Sequence, residues 1–443
     1  MFFRSFYFVY CLSIFSVSQA FSAEELYLQN FINLALKNNP QLEIGVQQYM
    51  QATGRVTQAQ SGYLPRLQLG GSLSRMHIKN LTPIDEDNIV NAGISASQLI
   101  YDFGQTTGTI EASKLKKEAA RSTVEQYLHD VILLVKESYY NVLEKKDLIE
   151  VAREKKESYE KHLYRARKFY EAGVRTQIDI TNAELELANS RLELLRAEAD
   201  LKSARVQLEQ VVGKRPNSGS YIVATHHETG VEDLASLAPI LSYTLPELLT
   251  IAPDQRPGLQ QIDQLFYAAE ASLKTVRSEN WPLFAATGSY DTYETDLQSV
   301  TDQWQVAATL SWEIFSGFET EGKVTEAKAR MLELGASRSE LELSIIKDIT
   351  DNHLRAVENY QSIEIAGLAT ELAKRNLELA EGRYQAGLGD MIEYNDAQLG
   401  FTSSRADLIS IYFAYLTSLA RIDRAAGIDP GIPERTLEKM LEE

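Results

Sequence analysis

The chain contains two copies of one pattern, and this repetition restricts its fold more than any other feature. Tyr170-Glu-Ala-Gly173 returns 214 residues later as Tyr384-Gln-Ala-Gly387. The offset of 214 holds from residue 100 to residue 213, and it becomes 217 for the prolines near the start of each half, Pro40 and Pro65. The change of three residues falls between these regions, where a hairpin loop can absorb it. One register held over this length predicts a tandem duplication.

Each half predicts the same order of elements: a helix, two strands and two further helices. The first helices are expected at residues 41–60 and 259–278. Apolar residues alternate with other residues in the next segments, as in Val90-x-Ala92-x-Ile94, which is typical of strands. The expected strands are residues 67–74, 89–98, 283–293 and 303–312. The segments between paired strands, residues 77–88 and 294–302, are rich in turn-forming and polar residues and are expected to be exposed loops.

A very long helix follows the strands. From Val124 to Tyr170, alternating steps of four and three residues give a heptad seam in which eleven of fourteen positions are apolar. No glycine occurs between Gly108 and Gly173, so some 65 residues would form a rod of roughly 100 Å. A second helix is expected at residues 178–212, and Gly173 and its repeat Gly387 are expected to form the turns between paired helices.

The first twenty residues have the features of an export signal. Arg4 precedes a short apolar stretch, and small residues at positions 18 and 20 favour cleavage after Ala20. Cleavage after Ala23 is a poorer alternative, because a bulky residue would stand at position −3. Acylation of Cys11 is a further alternative, although the residues before it are large. Because Cys11 is the only cysteine, the mature chain would have no disulfide and no cysteine-type zinc site.

The charge balance argues against a nucleic-acid partner. The chain has 44 basic and 62 acidic residues, a net charge of −18, which becomes −19 when Arg4 leaves with the signal. Binding to phosphates needs clustered Lys and Arg, whereas an acidic surface or pore favours cations.

After the signal no stretch of about 18 apolar residues occurs, so a membrane-spanning part would have to consist of β-strands. Four strands cannot close into a barrel, and open strand edges are not tolerated in lipid. Membrane insertion therefore predicts an obligate oligomer. Aromatic residues that would mark the membrane interface are Trp281, Trp304, Trp312, Tyr290 and Tyr293. The alternative is a soluble sheet with an aromatic core.

The doubled layout resembles the TolC-like outer-membrane efflux protein (outer-membrane factor) family. The resemblance rests on Ala35 with Asn39-Pro40, Leu64-Pro65, the Leu-Ile-Tyr-Asp-Phe-Gly segment 99–104, and the paired Tyr-x-x-Gly segments 170–185 and 384–399. It covers essentially the whole mature chain.

The resemblance implies a mixed α+β membrane protein made mostly of long helices. Three chains would each give four strands to a 12-stranded outer-membrane β-barrel, continuous with a periplasmic α-helical coiled-coil barrel. Such a homotrimer contacts outer-membrane lipid, a periplasmic adaptor (membrane fusion) protein and an inner-membrane transporter. It is a passive conduit for tripartite efflux or type I secretion. The expected divisions are a signal peptide (1–20), a first repeat (21–213), an equatorial linker (214–244), a second repeat (245–427) and a polar tail (428–443).

The resemblance also implies a ring of acidic residues at the periplasmic entrance. The matching positions are Glu393 and Asp396, with Asp179 in the first half. A threefold ring of carboxylates would concentrate cations at a constriction. The alternative for Asp179 and Glu393 is a simpler one, in which each carboxylate stabilises the positive N-terminal end of its helix.

The tip turns carry the expected gate. Tyr384 and Gly387, with Tyr170 and Gly173 in the first half, match the family's tip, where a tyrosine helps to hold the entrance closed through hydrogen bonds and salt links. The family's arginine two residues after the second glycine is replaced by a glycine at position 389. Arg175 holds the equivalent place in the first half, where it is either a gate residue or a solvated charge.

Nothing in the sequence predicts catalysis or a bound cofactor. His226-His227 is an adjacent pair in the linker without a carboxylate partner, so a surface pair is favoured over a metal site. Phosphate-binding, dinucleotide-binding and nucleophile motifs do not occur. The competing class is a periplasmic coiled-coil adaptor, which would show one helical hairpin and no full duplication.

Overall fold

The structure is a computed structural model that describes residues 24–76, 87–216, 221–224, 234–295, 299–428 and 434–442. The predicted signal peptide and the His226-His227 pair lie outside the described residues. The first half contains β1 (Glu24–Leu26), α1 (Leu28–Asn38), α2 (Pro40–Gln60), β2 (Arg66–Met76), β3 (Asp87–Tyr101), α3 (Gln105–Glu171) and α4 (Gln177–Val211). The linker contains β4 (Tyr221–Val223) and α5 (Leu234–Leu237). The second half contains α6 (Leu245–Gln255), α7 (Pro257–Ser278), β5 (Leu283–Thr295), β6 (Ser299–Ser311), α8 (Glu319–Gln385) and α9 (Met391–Ala426), and α10 (Glu434–Glu442) follows.

The two halves have matching long elements. Helices α3 and α8 each have 67 residues, and α4 and α9 have 35 and 36. Burial confirms the predicted heptad seam of α3, because ten of its fourteen positions are buried, from Val124 to Ala166. The tail, expected only to be polar, contains the nine-residue helix α10.

The predicted loops were wrong at their ends. Asp87 and Asn88 belong to β3, where they pair with Met76 and Arg75. The second predicted loop, 294–302, is also mostly strand, because Thr295 pairs with Ser299. Polar side chains do not interrupt a ladder when backbone groups remain paired, so composition alone placed these ends incorrectly. Trp312, expected as the last strand residue, lies one position beyond β6.

The four long strands form one antiparallel sheet in the order β2-β3-β5-β6. Its two faces differ in character. One face carries the large exposed apolar side chains Leu67, Leu69, Leu73, Ile94, Phe284, Tyr290, Trp304, Val306 and Leu310. The opposite face carries mostly small and polar residues, including Gln68, Ser72, Asn91, Ser95, Ser289 and Gln305. Within the described part of the chain, β2 and β6 each have a strand partner on one side only.

The main hydrophobic core lies around the middle of the long helices. Val131 and Val135 of α3, Leu208 of α4, Ile349 of α8 and Leu408 of α9 belong to it and are almost fully buried. The linker and the N-terminal segment cover this region. Parallel strands β1 and β4 pair, the Tyr139 hydroxyl donates to the carbonyl of Ala224, and the Tyr415 hydroxyl donates to the carbonyl of Pro239 at 2.6 Å. No helix in the described ranges is both long and apolar enough for a membrane span.

We expect that Val142→Pro interrupts α3 and abolishes assembly, because a proline inside a helix removes a hydrogen bond and clashes with the preceding turn, at a cost of about 3 kcal/mol or more. Val142 is buried near the middle of this helix. Circular dichroism would measure the helix loss, and size-exclusion chromatography with light scattering would measure assembly. Val142→Ala is the control, since it removes two methyl groups and keeps the helix. Normal assembly of the proline variant would contradict a continuous rod.

Candidate functional site at the helix-hairpin tips

The two tip turns are built alike. Gly173 and Gly387 adopt left-handed backbone angles, with φ of 71° and 75°. In the first turn the N–H of Gly173 donates to the carbonyl of Tyr170 at 2.9 Å, and that of Val174 donates to the carbonyl of Phe169 at 2.9 Å. The second turn repeats both bonds. This Schellman arrangement needs a residue that tolerates positive φ, which explains the two glycines.

The tip tyrosines lie in different environments although their sequence positions match. Tyr170 is 45% exposed, whereas Tyr384 is 1% exposed. Tyr384 forms a small core with Ala166 of α3 and Ala183 of α4. The second hairpin therefore inserts its tyrosine between the two helices of the first. The hydroxyl of Tyr384 has no hydrogen-bond partner among the described residues, so packing rather than hydrogen bonding holds it within one chain.

Arg175 links the two tips. Its Nη2 donates to the carbonyl of Gly389 at 2.7 Å, and its guanidinium lies 5.1 Å from the centre of the Tyr384 ring. It is half-buried, unlike a solvated charge. A Cβ at position 389 would lie 3.2 Å from atoms of Arg383, Tyr384 and Glu393, so the glycine keeps this turn compact. Arg175 of the first half thus contacts the second turn at Gly389, the position where the family's arginine was expected.

The three acidic candidates are arranged differently from one another. Asp179 accepts hydrogen bonds from the backbone N–H of Thr176 at 2.9 Å and from its hydroxyl at 3.0 Å, which is a capping box at the start of α4. Glu393 forms an ion pair with Nε of Arg383 at 2.9 Å. Asp396 is exposed and has neither an ion pair nor a side-chain hydrogen bond within the described ranges. Of the three, Asp396 presents the most available charge.

Sequence reasoning missed His162, which lies at the centre of the tip packing. It is 1% exposed, and its ring stacks on Tyr394 at 4.6 Å and lies 5.0 Å from the Tyr384 ring. Nε2 is 2.9 Å from the sulfur of Met391, and Nδ1 has no partner among the described residues. Burial, assisted by the positive charge of Arg165, lowers the pKa of His162 from 6.5 to about 4. The heptad gave no signal, because His162 stands beside the seam position and not on it.

Polar contacts continue the junction between the two hairpins above His162. The hydroxyl of Ser158 is 2.9 Å from the hydroxyl of Tyr394 and donates to Oε1 of Gln398 at 2.9 Å. Arg405 of α9 pairs with Glu154 of α3. These contacts join α3 of the first half to α9 of the second, so the hairpins are held together by named side chains as well as by packing.

The tips do not supply a metal site from the residues that the structure describes, since no group of three or more His, Cys, Asp or Glu side chains among them is placed to hold an ion. The geometry of the tips instead joins two hairpins through an aromatic insertion, a cation over a ring and a few polar contacts. Such an arrangement can fix or release the position of one hairpin relative to the other.

The comparison with known families gives the class of protein. The chain matches the family described as outer membrane efflux protein over residues 31–214 and 248–428, and it belongs to that family. This is a family of channels and not of enzymes.

Individual relatives agree with this assignment. The chain is 21% identical to the outer membrane protein TolC of Vibrio cholerae, with 93% of this chain and 92% of that protein covered. It is 25% identical to the alkaline protease secretion protein AprF of Pseudomonas aeruginosa, with 89% and 83% covered. The crystal structure of the CmeC outer membrane channel of Campylobacter jejuni shares the fold, with a TM-score of 0.80, 19% identity, and 94% and 89% covered. The chain is an outer-membrane protein that forms a conduit for efflux or secretion, and the adaptor alternative is set aside.

We expect that Arg175→Met loosens the contact between the hairpins, because it removes the hydrogen bond to Gly389 and the cation over Tyr384 while it keeps the aliphatic length. A charged hydrogen bond and a half-exposed cation–π contact together contribute about 2 kcal/mol. Single-channel conductance in planar bilayers should rise. Tyr384→Phe is the matched control and should not raise conductance, since removal of a buried hydroxyl that has no partner in the described structure does not weaken the docking. A larger effect of Tyr384→Phe than of Arg175→Met would contradict this assignment.

Proposed function

We propose that three copies of the chain form a passive duct that crosses the outer membrane and extends into the periplasm. The observation that carries this proposal is the four-stranded sheet with one apolar face, whose outer strands β2 and β6 each lack a second partner in the described chain. Unpaired backbone groups are not tolerated in lipid, so β6 of one copy must pair with β2 of the next until the sheet closes. Three copies give twelve strands, the number that the family resemblance implies.

The two faces of the sheet fit this barrel. The apolar face would contact lipid, and the small and polar face would line the pore. Tyr290 and Trp304 are cross-strand partners on the apolar face, seven residues along the strands from the Leu283–Ser311 pair. This is about 23 Å along the strand at 3.3 Å per residue, and roughly 16–19 Å across the membrane for a strand tilted by about 35–45°. Trp281 and Trp312 lie at that nearer end. Two aromatic levels with apolar residues between them support interfacial positions for these side chains.

Exposed apolar stripes on the long helices support neighbouring copies along the periplasmic part. On α8 the stripe repeats every eleven residues, and its members are Leu332, Leu343, Leu354 and Ile365. On α4 it repeats every seven residues, and its members are Ile178, Leu185 and Leu192. Both repeats keep one face of a helix aligned over many turns. Covering these stripes by adjacent copies would build the wall of the α-helical barrel.

The tips are the proposed docking place for a periplasmic adaptor protein, which would connect the duct to an inner-membrane transporter that supplies the energy. Val174 of the first tip and Leu388 of the second are exposed apolar residues at matching positions. Each chain therefore has two similar apolar tips, and each tip would be a docking site for a helical hairpin of the adaptor. Nucleic acid is not among the proposed partners.

The matching order of elements and the two separately matched ranges support a tandem duplication. We retain the proposed divisions at residues 21–213, 214–244, 245–427 and 428–443. The linker strand β4 and helix α5 pack around the middle of the long helices, which supports an equatorial position for the linker.

The carboxylates at the entrance are proposed to favour cations, with Asp396 as the main contributor. Glu393 is partly neutralised by Arg383, and Asp179 is engaged by the N-terminus of α4. Three copies of Asp396 around one axis would raise the local cation concentration.

For the oligomer, the test is the double substitution Leu354→Glu and Ile365→Glu. Both residues are exposed on the α8 stripe, where a neighbouring copy would cover them. Burying a leucine or isoleucine contributes about 1.5–3 kcal/mol, and a buried unpaired carboxylate reverses that contribution. Light scattering in detergent should show a trimer for the wild type and smaller species for this variant. The control with Met at both positions should remain trimeric. A wild-type monomer would refute the shared barrel.

For selectivity, Asp396→Asn should lower the cation-to-anion permeability ratio by about two-fold or more, whereas Glu393→Gln should change it less. The reason is that Glu393 is already paired with Arg383 at 2.9 Å. Reversal potentials in a KCl gradient across planar bilayers would measure both variants. An equal or larger effect of Glu393→Gln would overturn the ranking of the two carboxylates.

A further inference from the structure

His162 occupies the junction at which the second hairpin docks on the first. It belongs to α3, and its ring contacts Tyr384 at the end of α8 and Met391 and Tyr394 at the start of α9. The three contacted residues are 1–4% exposed, and His162 itself is 1% exposed. Any separation of the hairpins would bring this imidazole from an apolar cage into water.

We propose that His162 is an acid-sensitive clasp: its neutral imidazole holds the second hairpin docked on the first, and its protonation releases that hairpin. His162 acts as a positioning residue for Tyr384, since its ring lies against the tyrosine ring.

The cage has no acceptor for the second N–H of an imidazolium among the described residues. In the docked state Nε2 faces the sulfur of Met391, and Nδ1 faces no partner in the described part of the chain. A buried charged donor without an acceptor costs several kcal/mol. The rings of Tyr384 and Tyr394 could return about 0.5–2 kcal/mol through cation–π contacts. The cost is the larger quantity, so the docked state favours the neutral ring.

The charged groups around the junction do not reverse this preference. Arg165, on the same helix, acts against protonation, while Asp179 of α4 and Glu381 of α8 act in its favour. Arg165 and Glu381 form an ion pair at 2.6 Å and largely cancel each other, and Asp179 is engaged in its capping box. Arg175 lies over the Tyr384 ring and adds a further positive charge near the junction. Desolvation of the imidazole is the largest effect.

The direction of the pH effect follows from the two states. In the docked state the pKa of His162 is about 4, and in the separated state the hydrated ring has the ordinary value of 6.5. The neutral ring therefore stabilises the docked state fully above pH 6.5, and this stabilisation is lost as the pH falls towards 4. From pH 7.5 to pH 5 the ratio of docked to separated hairpins should fall by about 25-fold.

The test measures the distance between the two tips. With Cys11 replaced by Ser, cysteines at Val174 and Leu388 carry spin labels, and the labelled full chain is diluted with unlabelled subunits before assembly. Both positions are exposed. Pulsed electron paramagnetic resonance then gives the distance distribution at pH 7.5, 5.5 and 4.5. The measurements use the Arg175→Met variant as the parent. Because docking is weaker in this variant, both docked and separated hairpins should be populated enough to be detected.

We expect longer distances on acidification in this background. His162→Phe and His162→Gln, which cannot be protonated, should give distributions that do not change with pH. His162→Arg should give the longer distances already at pH 7.5. His353→Phe on α8 is the matched control and should respond to pH as the parent does. Circular dichroism checks that each variant retains its helices.

Two outcomes would overturn the proposal. One is a pH response of both His162→Phe and His162→Gln equal to that of the parent, which would assign the effect to carboxylates such as Asp396. The other is a parent chain whose tip distance stays constant from pH 7.5 to 4.5. Because the readout is a distance within one chain, either result leaves the conduit function untouched.

Discussion

The structure depends on one requirement, that every backbone N–H and C=O placed in a membrane needs a partner. The four-stranded sheet satisfies this requirement for β3 and β5, but β2 and β6 have free outer edges in the described chain. Each half contributes two strands and two long helices, as the proposed duplication requires. In the proposed trimer the long helices would likewise be parts of a shared wall. The exposed stripes on α4 and α8 are the helical counterpart of the open strand edges.

At the tips the two halves have complementary roles. The first hairpin provides a cleft between α3 and α4, and the second fills it with Tyr384. An aromatic side chain buries about 150–250 Å², which at 25 cal/mol per Å² is an upper value of roughly 4–6 kcal/mol. The buried hydroxyl of Tyr384, which has no partner in the described structure, reduces it by about 1–3 kcal/mol. Among the described residues, five ion pairs also join the halves along α3: Asp130–Arg424, Lys136–Asp423, Glu137–Arg421, Glu154–Arg405 and Arg165–Glu381. Partly exposed pairs contribute about 0–1 kcal/mol each, so the burial of one tyrosine is comparable to all five together.

The repetitive parts of the fold could be predicted from the sequence, because period and spacing determine them. The extent of α3 and the position of its turn were predicted closely. The prediction used the seam from Val124 to Ala166, the absence of helix breakers and the paired glycines. Strand ends were less predictable, since Asp87 and Asn88 are polar and yet continue the ladder. The packing of one tip against the other could not be predicted from the repetition. Tyr170 and Tyr384 match in sequence, but one is exposed and the other buried, because docking treats the two hairpins unequally. His162 and the Arg175–Gly389 bond depend on the same docking and left no periodic signal.

The unequal packing of the two hairpins explains how a conduit built of rigid helices can still change the arrangement of its tips. Helices α3 and α8 are long and uninterrupted, so bending them would break many hydrogen bonds at once. Movement is less costly where whole hairpins separate, because only side-chain contacts are lost there. In the described chain the main contacts between the hairpins near the tip are the Tyr384 insertion, the Arg175 bond, the His162 stack and the polar group around Ser158. Their sum is several kcal/mol, which is within the range that binding of a partner protein can offset. The contacts that can be broken at low cost are therefore concentrated at the tip, whereas the long helices above it remain rigid.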